Sequence, residues 1–439
     1  MGIKVAKFGG SSVADVIQLR KMKEIIESDP ERRYIIVSAP GKRFDNDNKI
    51  TDILYLCHTH MEHNLPYDQL LQVIHDRFTV TAVNLGITVD FTEDFKKISE
   101  DLKAGCSSDY AASRGEYLSA KLVAAYLGYD FLDAADMIFF DSKGKFLAEE
   151  TNEELAACLK EHERAVIPGF YGTVMGEGEI KTFSRGGSDI TGSIVARAVE
   201  ADVYENWTDV SGFLMADPRI VENPRPIHEI SYKELRELSY MGASVLHEDA
   251  INPARIANIP INIRNTNDPE DPGTVIKAHH EDKESNDIIT GIAGKRDFSV
   301  FAIYKNMMGG EKGFVRKLLG IIEDFGCSFE HIPSGIDTVS VVMSNKEIDG
   351  RHDEFMEAFQ KQLEPDSLEC LENMALIATV GYGMNRRKGV AAKLITALAE
   401  ADVNLRMIEQ GSSEINIIVG VEDHDFETAI RAIYDAFTK

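Results

Sequence analysis

The chain has 439 residues, of which 44% are hydrophobic and 27% are charged, and its formal net charge at pH 7 is −26. These proportions are ordinary for folded proteins, so a wholly disordered chain is excluded and two or three domains of about 150 residues each are expected. The negative charge repels nucleic acid and anionic lipid, so neither is an expected partner. A site for an anionic metabolite must then be built from local amides and cations.

Cysteine usage and hydropathy predict a cytoplasmic protein. The five cysteines form no CxxC pair, which argues against a disulfide framework or a zinc ribbon. The N-terminal segment lacks the apolar core of a signal peptide, and no run of about 18 apolar residues predicts a membrane span. We therefore expect a soluble protein in a reducing compartment, without a membrane partner.

Short apolar runs alternate with helical patterns from residue 1 to about residue 265. Strands are predicted at residues 3–5, 34–37, 165–167 and around 203, and a helix is predicted at 13–27. Strands that alternate with helices favour a mostly parallel sheet covered by helices on both faces. The fold class of this half is therefore predicted as α/β with three layers.

A polar segment at residues 268–287 marks the end of this pattern. It contains Pro269, Pro272 and Gly273 among charged residues. Proline and glycine in a polar stretch are typical of a connection between domains, so we predict a linker here. An exposed hairpin is the alternative interpretation.

The C-terminal part of the chain repeats itself at a constant offset of 76 residues. Lys317-Leu318 matches Lys393-Leu394, and Gly335 matches Gly411. Each copy predicts a small βαββαβ module, and the elements of the first copy are predicted near 300–305 (strand), 313–325 (helix), 328–332 (strand), 338–343 (strand) and 350–363 (helix). We therefore predict three domains, with boundaries at 1–285, 286–370 and 371–439.

A glycine-rich loop directly follows the first predicted strand. Lys7 precedes Gly9 and Gly10, and Ser11 and Ser12 come next, where a helix is predicted to begin. Adjacent glycines let backbone N–H groups approach a ligand, and a helix N-terminus capped by either serine adds positive potential. The loop therefore predicts a phosphate site that Lys7 completes, although an ordinary strand–helix turn is the alternative.

A second glycine-rich loop precedes another predicted helix. Gly186 and Gly187 again permit a close approach, while Ser188 or Asp189 is suited to cap the helix. Arg185 offers a planar fork that matches a carboxylate. A capped helix with a surface arginine is the alternative.

Further polar residues follow predicted strands or begin predicted helices. Asp209 ends a strand, where open α/β sheets bind ligands, and Arg219 is able to reach a nucleotide phosphate. Ser38 ends another strand and precedes a polar insert at 42–49, predicted as a flexible rim. Glu116 lies near a predicted helix start and could hold an ammonium group, but interaction with the helix dipole is the simpler explanation there.

Five motifs in the order KFGGSSV, VSAPG, RGEYLSAK, FSRGGSD and WTDVSGFLMADPR resemble the aspartokinase branch of the amino-acid kinase superfamily. The duplicated tail resembles the paired ferredoxin-like ACT modules of these enzymes, and the likeness extends from Lys4 to about residue 437. The resemblance implies transfer of the γ-phosphoryl group of Mg-ATP to the side-chain carboxylate of L-aspartate. The product would be 4-phospho-L-aspartate, at the start of lysine, threonine and methionine biosynthesis.

The resemblance also implies roles for individual residues. Lys7 and Asp189 would be catalytic, with Asp189 orienting Lys7 or the metal shell. The implied ATP-binding residues are Lys7, Phe8, Gly9, Gly10, Thr208, Asp209, Leu214 and Arg219. The implied aspartate-binding residues are Ser38, Thr51, Glu116, Arg185 and Ser188, with Arg185 on the α-carboxylate and Glu116 on the ammonium group. Mg²⁺ would be held mainly by ATP, without protein side chains as ligands.

The chain departs from the family's pattern in several places, among them the insert at 43–49, which places Thr51 further from Ser38 than in many relatives. Ser244 stands where relatives often have a lysine near the nucleotide, and Leu214 replaces a frequent aromatic residue. The resemblance leaves two other functions open, namely a kinase for a glutamate-type substrate or UMP and a non-catalytic amino-acid sensor.

Regulation by an end-product amino acid, most simply lysine, is implied by the tail. The resemblance predicts a homodimer formed through the ACT modules, and possibly a tetramer. The residues that it implies for the regulatory site are Met308, Gly313, Val315, Ser328, Phe329, Glu330 and Ser334.

Overall fold

The apolar runs that predict strands in the first 265 residues form the centre of one large sheet. We describe it from a computed structural model, which describes residues 2–184, 186–243, 246, 248–278 and 287–439. The strands of this half are β1 (Lys4–Phe8), β2 (Arg32–Val37), β3 (Asp130–Phe131), β4 (Phe139–Phe140), β5 (Ala165–Pro168), β6 (Tyr171–Val174), β7 (Ile180–Thr182), β8 (Val203–Thr208), β9 (Phe213–Leu214), β10 (Pro226–Ile227), β11 (Glu229–Ser231), β12 (Ile261–Asn265) and β13 (Thr274–Lys277).

Helices alternate with these strands, as the sequence predicts. They are α1 (Val16–Glu27), α2 (Ile50–Glu62), α3 (Asp68–Leu85), α4 (Thr92–Lys103), α5 (Ser108–Leu127), α6 (Ala148–Lys160), α7 (Gly187–Ala198), α8 (Tyr232–Tyr240) and α9 (Glu248–Ile256). The helix predicted from residue 13 begins three residues later, at Val16, because residues Gly10–Val13 form a 3-10 turn.

Among the described residues, eight strands pair in the order β11-β13-β12-β8-β1-β2-β5-β3. Every neighbouring pair is parallel except β12 and β13. Ala6 and Phe8 of β1 pack into the core that α1 to α5 cover, so Val5 and Lys7 point to the opposite face, because side chains alternate along a strand. Helix α7 contacts β1, β2 and β8. The predicted three-layer, mostly parallel α/β architecture is confirmed.

The segment predicted as a linker is partly a strand. Residues 274–277 form β13, which pairs antiparallel with β12, so this part is a hairpin strand, but a partly buried one and not the exposed hairpin of the alternative interpretation. Thr274 and Ile276 are fully buried, which explains why this short run joins the sheet despite its polar surroundings. The remaining residues 279–286 lie outside the described part of the chain.

The C-terminal part is built on a second, antiparallel sheet. Its strands are β14 (Gly291–Tyr304), β15 (Thr338–Ser344), β16 (Ser367–Val380), β17 (Met407–Glu409) and β18 (Asn416–Glu422), and its helices are α10 (Phe314–Asp324), α11 (Asn345–Ile348), α12 (His352–Leu363), α13 (Val390–Glu400) and α14 (Phe426–Thr438). In this part of the described chain the strand order is β15-β14-β16-β18-β17.

The two long strands run through both repeats of this sheet. Residues 298–304 of β14 pair with β15, whereas residues 291–295 pair with the end of β16 that also pairs with β18. Helices α10 and α13 begin and end at the predicted offset of 76 residues. The strand predicted at 328–332 does not form a regular strand: His331 and Ser334 make isolated bridges to β15, and Pro333 between them has no N–H to donate.

The described chain groups into two compact units. One contains residues up to 213 together with 226–233 and 245–281, and the other contains 214–225, 234–244 and the residues from 282 to the end. The predicted boundaries at 285/286 and 370/371 stay predictions. Within the described residues, no helix is both long enough and apolar enough to cross a membrane.

Candidate active site

An open cavity of about 250 Å³ lies in the first unit, where the predicted glycine-rich loops meet. Its described lining consists of Lys7, Ser38, Thr51, Glu116, Phe170, Gly186, Gly187, Ser188 and Asp189. These residues come from parts of the chain that are up to 182 positions apart in sequence. The convergence of the Lys7 loop and the Gly187 loop on one cavity is therefore observed.

The sheet explains why these segments meet. Strand β1 pairs in parallel with β2 and β8, and Phe8 lies in register with Val37 and Trp207. The residues that follow the three strands therefore emerge at the same carboxyl edge, which is where α/β sheets bind ligands. Ser38 N–H donates to the Phe8 carbonyl at 3.1 Å, so the turn after β2 lies directly against the end of β1.

Glycines at this edge allow two loops to touch. The Gly41 N–H donates to the Gly10 carbonyl at 2.9 Å. A Cβ on Gly10 would lie 2.9 Å from the Ala39 carbonyl oxygen, and a Cβ on Gly41 would lie 2.9 Å from the Gly10 backbone. A larger residue at either position would push the loops apart, since both contacts are with backbone atoms.

The predicted capping of the first loop is wrong. Gly9 precedes the 3-10 turn without a side-chain cap, and α1, which begins at Val16, is capped by Asp15, whose carboxylate accepts from the Gln18 N–H. Ser12 is instead buried, and its hydroxyl lies 2.8 Å from the Thr266 hydroxyl. The N-terminus of α1 therefore does not coincide with the glycine loop. Two N–H groups of the loop are already used, since Gly9 donates to the Trp207 carbonyl at 3.0 Å and Ser12 donates to the Gly9 carbonyl at 2.9 Å.

The second loop does begin a helix at the cavity. Helix α7 starts at Gly187 after Gly186, whose φ of 58° is in the left-handed region. Ser188 and Asp189 lie in the first turn, and within the described residues neither caps the helix. The positive end of α7 therefore faces the cavity, where it favours an anion. Arg185, predicted to bind the α-carboxylate, lies outside the described residues, as does Ser244.

Lys7 is buried and forms an ion pair. Only 7% of the residue is exposed, and its Nζ lies 2.5 Å from Asp189 Oδ1. The Asn206 Nδ2 donates to the same carboxylate oxygen at 2.9 Å, and Asn206 Oδ1 accepts from Lys7 Nζ at 3.4 Å. Sequence analysis missed Asn206, although two neighbouring polar residues, Glu205 and Asn206, inside a predicted strand were a usable signal.

Glu116 lines the cavity with a buried carboxyl group. Helix α5 begins at Ser108, so Glu116 lies in the third turn, and the predicted placement near a helix start was wrong. Its Oε2 is buried and has no hydrogen-bond partner within the described residues. Burial raises the pKa of this carboxyl group to about 8, and a backbone hydrogen bond from Ala39 only partly counteracts it. The helix-dipole explanation therefore does not apply.

The predicted nucleotide-binding residues are divided between the two units, whereas the described aspartate-binding residues all line one cavity. Thr208 and Asp209 end β8 at the same edge, with the Thr208 hydroxyl 3.2 Å from Asp209 Oδ1. The Phe8 ring is fully buried and stacked on Trp207, so only its backbone is available to a ligand. Leu214 and Arg219 belong to the second unit, where Arg219 pairs with Asp217 at 2.6 Å.

The polar insert at 42–49, which the sequence predicts as a flexible rim, makes ion pairs and hydrogen bonds within itself and with α3. Arg43 pairs with Asp47 at 2.7 Å. The buried Arg77 of α3 donates to the Asn48 carbonyl at 3.1 Å and to the Ala14 carbonyl at 3.0 Å, and also to the Gly41 carbonyl. A single guanidinium thus connects the two loops that follow β1 and β2.

The predicted regulatory residues lie in the second unit in different environments. Met308 is part of the apolar core, whereas Val315 and Phe329 expose about 40% of their surface. Gly313 precedes α10 with a φ of 85°, the Ser328 N–H donates to Glu347 at 3.1 Å, and Ser334 bridges to Val339. Burial and a hydrogen bond to Glu330 raise the pKa of Tyr240 to about 12, so Glu330 is not simply solvated.

Comparison with known proteins identifies the family. The sequence model of the amino acid kinase family matches residues 2–265, more than half of the chain, and an ACT domain model matches residues 377–437. Aspartokinase 3 of Bacillus subtilis (strain 168) is 36% identical over 450 residues, which cover 99% of this chain and 98% of that protein. The chain belongs to the aspartokinase family.

Solved structures of aspartokinases share this fold. The crystal structure of Clostridium acetobutylicum aspartate kinase, described as an allosteric enzyme, is 54% identical with a TM-score of 0.93 over 100% of both chains. Escherichia coli aspartokinase III, in complex with aspartate and ADP or with lysine and aspartate, is 24% identical with TM-scores of 0.73 and 0.74 over 100% of both chains. At that identity only the fold is compared. The predicted family and fold class are confirmed, and the chain is a kinase.

Proposed function

We propose that this aspartokinase transfers the γ-phosphoryl group of ATP to the side-chain carboxylate of L-aspartate in the cavity around Lys7. One observation carries the proposal: the buried carboxyl group of Glu116, whose Oε2 has no hydrogen-bond partner among the described residues, lines the same cavity as the Lys7–Asp189 pair. A buried polar group without a partner is costly, so a ligand ammonium group would satisfy it. An amino acid with a second carboxylate then fits between Glu116 and the lysine.

The two ends of the substrate would be held separately. Glu116 would accept from the ammonium group, while hydroxyls of Ser38, Thr51 and Ser188 would bind the remaining polar atoms. The α-carboxylate would bind at the positive end of α7, where Arg185 is predicted to reach it. This arrangement aims the side-chain carboxylate at Lys7, because the ammonium and α-carboxylate are fixed at the opposite end.

The reaction needs little covalent help from the protein. One oxygen of the aspartate side chain forms the new bond to the γ-phosphorus, and the bond to the bridging oxygen of ADP breaks. The attacking carboxylate is already ionised, so no protein base removes a proton, and catalysis consists of positioning and charge neutralisation. The Lys7 ammonium would neutralise charge on the transferring group, and the backbone N–H of Gly10 would bind a phosphate oxygen, whereas the Gly9 N–H already donates to the Trp207 carbonyl at 3.0 Å.

The described residues fit a metal that arrives with the nucleotide. None of them forms a group of three or more His, Cys, Asp or Glu able to hold a metal ion. Mg²⁺ binds substrate phosphates and keeps several waters in kinase sites, so the metal would be held mainly by ATP. When bound, Mg²⁺ would neutralise part of the phosphate charge.

The substrate is tested by trapping the acyl phosphate with hydroxylamine. Purified protein with saturating MgATP is assayed in parallel with L-aspartate, L-glutamate and N-acetyl-L-glutamate. We expect product with L-aspartate alone. Comparable turnover with glutamate would reassign the substrate, and no turnover with any of the three would favour the amino-acid sensor.

We further propose that lysine inhibits the enzyme through the second unit. The predicted site around Glu330 combines a carboxylate with the exposed surfaces of Val315 and Phe329, which suits a long, cationic amino acid. Binding at an interface between two copies of the ACT modules would shift a two-state equilibrium. A homodimer is the expected assembly, and a tetramer would be two such dimers.

A further inference from the structure

Asn206 joins the two charged side chains of the candidate site. It lies in β8 directly beside Lys7 of β1, since the two residues are partners in the parallel register. Side chains of paired residues on parallel strands point to the same face, so both face α7, where Asp189 lies. Only 3% of Asn206 is exposed, so water does not compete strongly for its amide.

The amide matches the needs of both partners. The Lys7 ammonium only donates hydrogen bonds and the Asp189 carboxylate only accepts them, whereas an amide does both. The Asn206 Nδ2 donates to Asp189 Oδ1 at 2.9 Å, and its Oδ1 accepts from Lys7 Nζ at 3.4 Å. With the 2.5 Å ion pair, these contacts form a closed triangle of side chains from β1, β8 and α7.

We infer that Asn206 is a positioning residue that aims Lys7 at the transferring phosphoryl group, an inference that rests on the proposed function. An ammonium group has three donors. Asp189 and Asn206 accept hydrogen bonds from two of these N–H groups, which fixes the direction of the third. Lys7 lines the cavity, so the third N–H group can point into it. A donor fixed before the reaction needs no reorganisation in the transition state.

The first test removes both hydrogen bonds and keeps the side-chain volume. In Asn206→Leu, kcat is expected to fall about ten- to hundredfold, because a small displacement of a catalytic group has effects of that order. The KM values for ATP and aspartate are expected to stay within about threefold. An unchanged kcat overturns the inference. A lower kcat that comes with a lower melting temperature and raised KM values also overturns it, because that pattern indicates general damage to the fold.

Tyr204→Phe is the matched control. Tyr204 lies two residues away on the same face of β8, and its hydroxyl donates to the backbone carbonyl of Asp189 at 3.1 Å. This variant removes a hydrogen bond to the same residue without touching the carboxylate, so its kcat is expected to match that of the unmodified enzyme. If kcat of Tyr204→Phe falls as far as kcat of Asn206→Leu, loss of any hydrogen bond between β8 and α7 lowers turnover, and the inference about the Asn206 amide is contradicted.

The second test uses Asn206→Asp as a pH-dependent replacement. The position is faced by Lys7 from β1, by Asp189 from α7 and by the apolar Ile263 of β12. An ionised carboxylate would accept from Lys7 but repel Asp189, whereas its protonated form donates and accepts as the amide does. At saturating aspartate, kcat of this variant is expected to rise as the pH falls, and a pH profile parallel to that of the unmodified enzyme contradicts the inference.

A crystal structure of Asn206→Leu separates this inference from the proposed function. If Lys7 keeps its ion pair and its direction without the amide, Asn206 does not position it, whatever the substrate is. If Lys7 turns away, the positioning role stands even where the hydroxylamine assay assigns another substrate. The two ideas therefore fail independently.

Discussion

At the scale of the residue, burial decides the charge state of a single carboxyl group, that of Glu116. Burial raises its pKa to about 8, so the free enzyme holds the proton at neutral pH, because desolvation outweighs the backbone hydrogen bonds and the Arg114 charge that favour the ionised form. A substrate ammonium group would add a closer positive charge. The same burial that makes the carboxyl group unfavourable in the empty protein therefore makes it selective for a cation.

Aspartate affinity should depend on this titration. Only the ionised carboxyl group binds an ammonium group, so the KM for aspartate is expected to rise as the pH falls below about 8, by up to tenfold per unit. Glu116→Gln should have a high KM that does not vary over the same range. Steady-state kinetics between pH 6 and 9 measure both, and a flat KM in the unmodified enzyme would contradict the proposed role.

Glu116 should also lower the stability of the empty protein at high pH. A raised pKa in the folded state means that the folded protein binds the proton more tightly than the unfolded chain. Stability is therefore lost as the pH rises from the ordinary glutamate value of 4.5 to about 8. We expect Glu116→Gln to raise the melting temperature by a few degrees at pH 8.5 and not at pH 4.5. If Glu116→Gln and the unmodified protein melt at the same temperature at pH 8.5, the pKa of Glu116 is not raised.

Lys7 should carry the largest single effect on turnover. Lys7→Ala is expected to lower kcat by a factor of about a thousand or more, because a fixed positive charge on the transferring group is lost. Lys4→Ala is the control, since Lys4 lies at the other end of β1 and pairs with Asp29 at 2.6 Å. Ordinary activity in Lys7→Ala, with its fold intact by circular dichroism, would remove Lys7 from the mechanism.

The start of α7 is decided by packing at the scale of the element. Phe170 precedes β6 with a φ of 80°, which is rare for a non-glycine residue, and its N–H is held by the Thr191 hydroxyl of α7 at 3.1 Å. A Cβ on Gly187 would lie 2.3 Å from the Phe170 ring and 2.8 Å from its Cα. Gly187 therefore permits the close contact that brings the helix N-terminus to the cavity.

Gly187→Ala should displace this helix start. We expect the kcat/KM for aspartate to fall at least tenfold and stability to fall by about 1–3 kcal/mol, as overpacked sites do. Gly320→Ala in α10 is the control, because no atom lies within 4 Å of the added Cβ and alanine favours a helix. Thermal melts and aspartate kinetics measure both variants. Unchanged kinetics in Gly187→Ala would show that the start of α7 tolerates movement.

At the scale of the whole molecule, the repeated C-terminal modules are the part that we expect to respond to an effector. Strands β14 and β16 run through both repeats, so the two modules share continuous strands. Coupling carried by a shared rigid element is a physical basis for a two-state response. The C-terminal repeats are therefore suited to respond to an effector as one body.

Lysine should inhibit turnover with a sigmoidal dependence if two copies bind it together. Glu330→Gln is expected to raise the half-inhibiting lysine concentration at least tenfold, because a charge partner of the ammonium group is lost. Glu354→Gln, an exposed position in the first turn of α12, is the control. Assays with lysine, threonine and both, together with sedimentation, measure these effects. Full activity under saturating amounts of both amino acids would contradict the proposed regulation.

Much of the fold was predictable because its signals are local. The apolar runs at 34–37 and 165–167 lie in β2 and β5, and the repeat offset predicted the bounds of α10 and α13. Errors came where local patterns compete with packing. The run at 274–277 became a strand in polar surroundings, and residues 10–13 formed a 3-10 turn where the helical pattern continued.

By itself, the sequence determined the alternation of strands and helices, the two glycine-rich loops, the tandem repeat and the family. Only the tertiary structure decided that Glu116 is buried in mid-helix and that Asn206 links Lys7 to Asp189, partners separated by 199 and 17 positions in the chain. Periodicity and turn chemistry are encoded within a few residues of each other. Burial, pKa and hydrogen-bond partners depend on groups that only folding brings together.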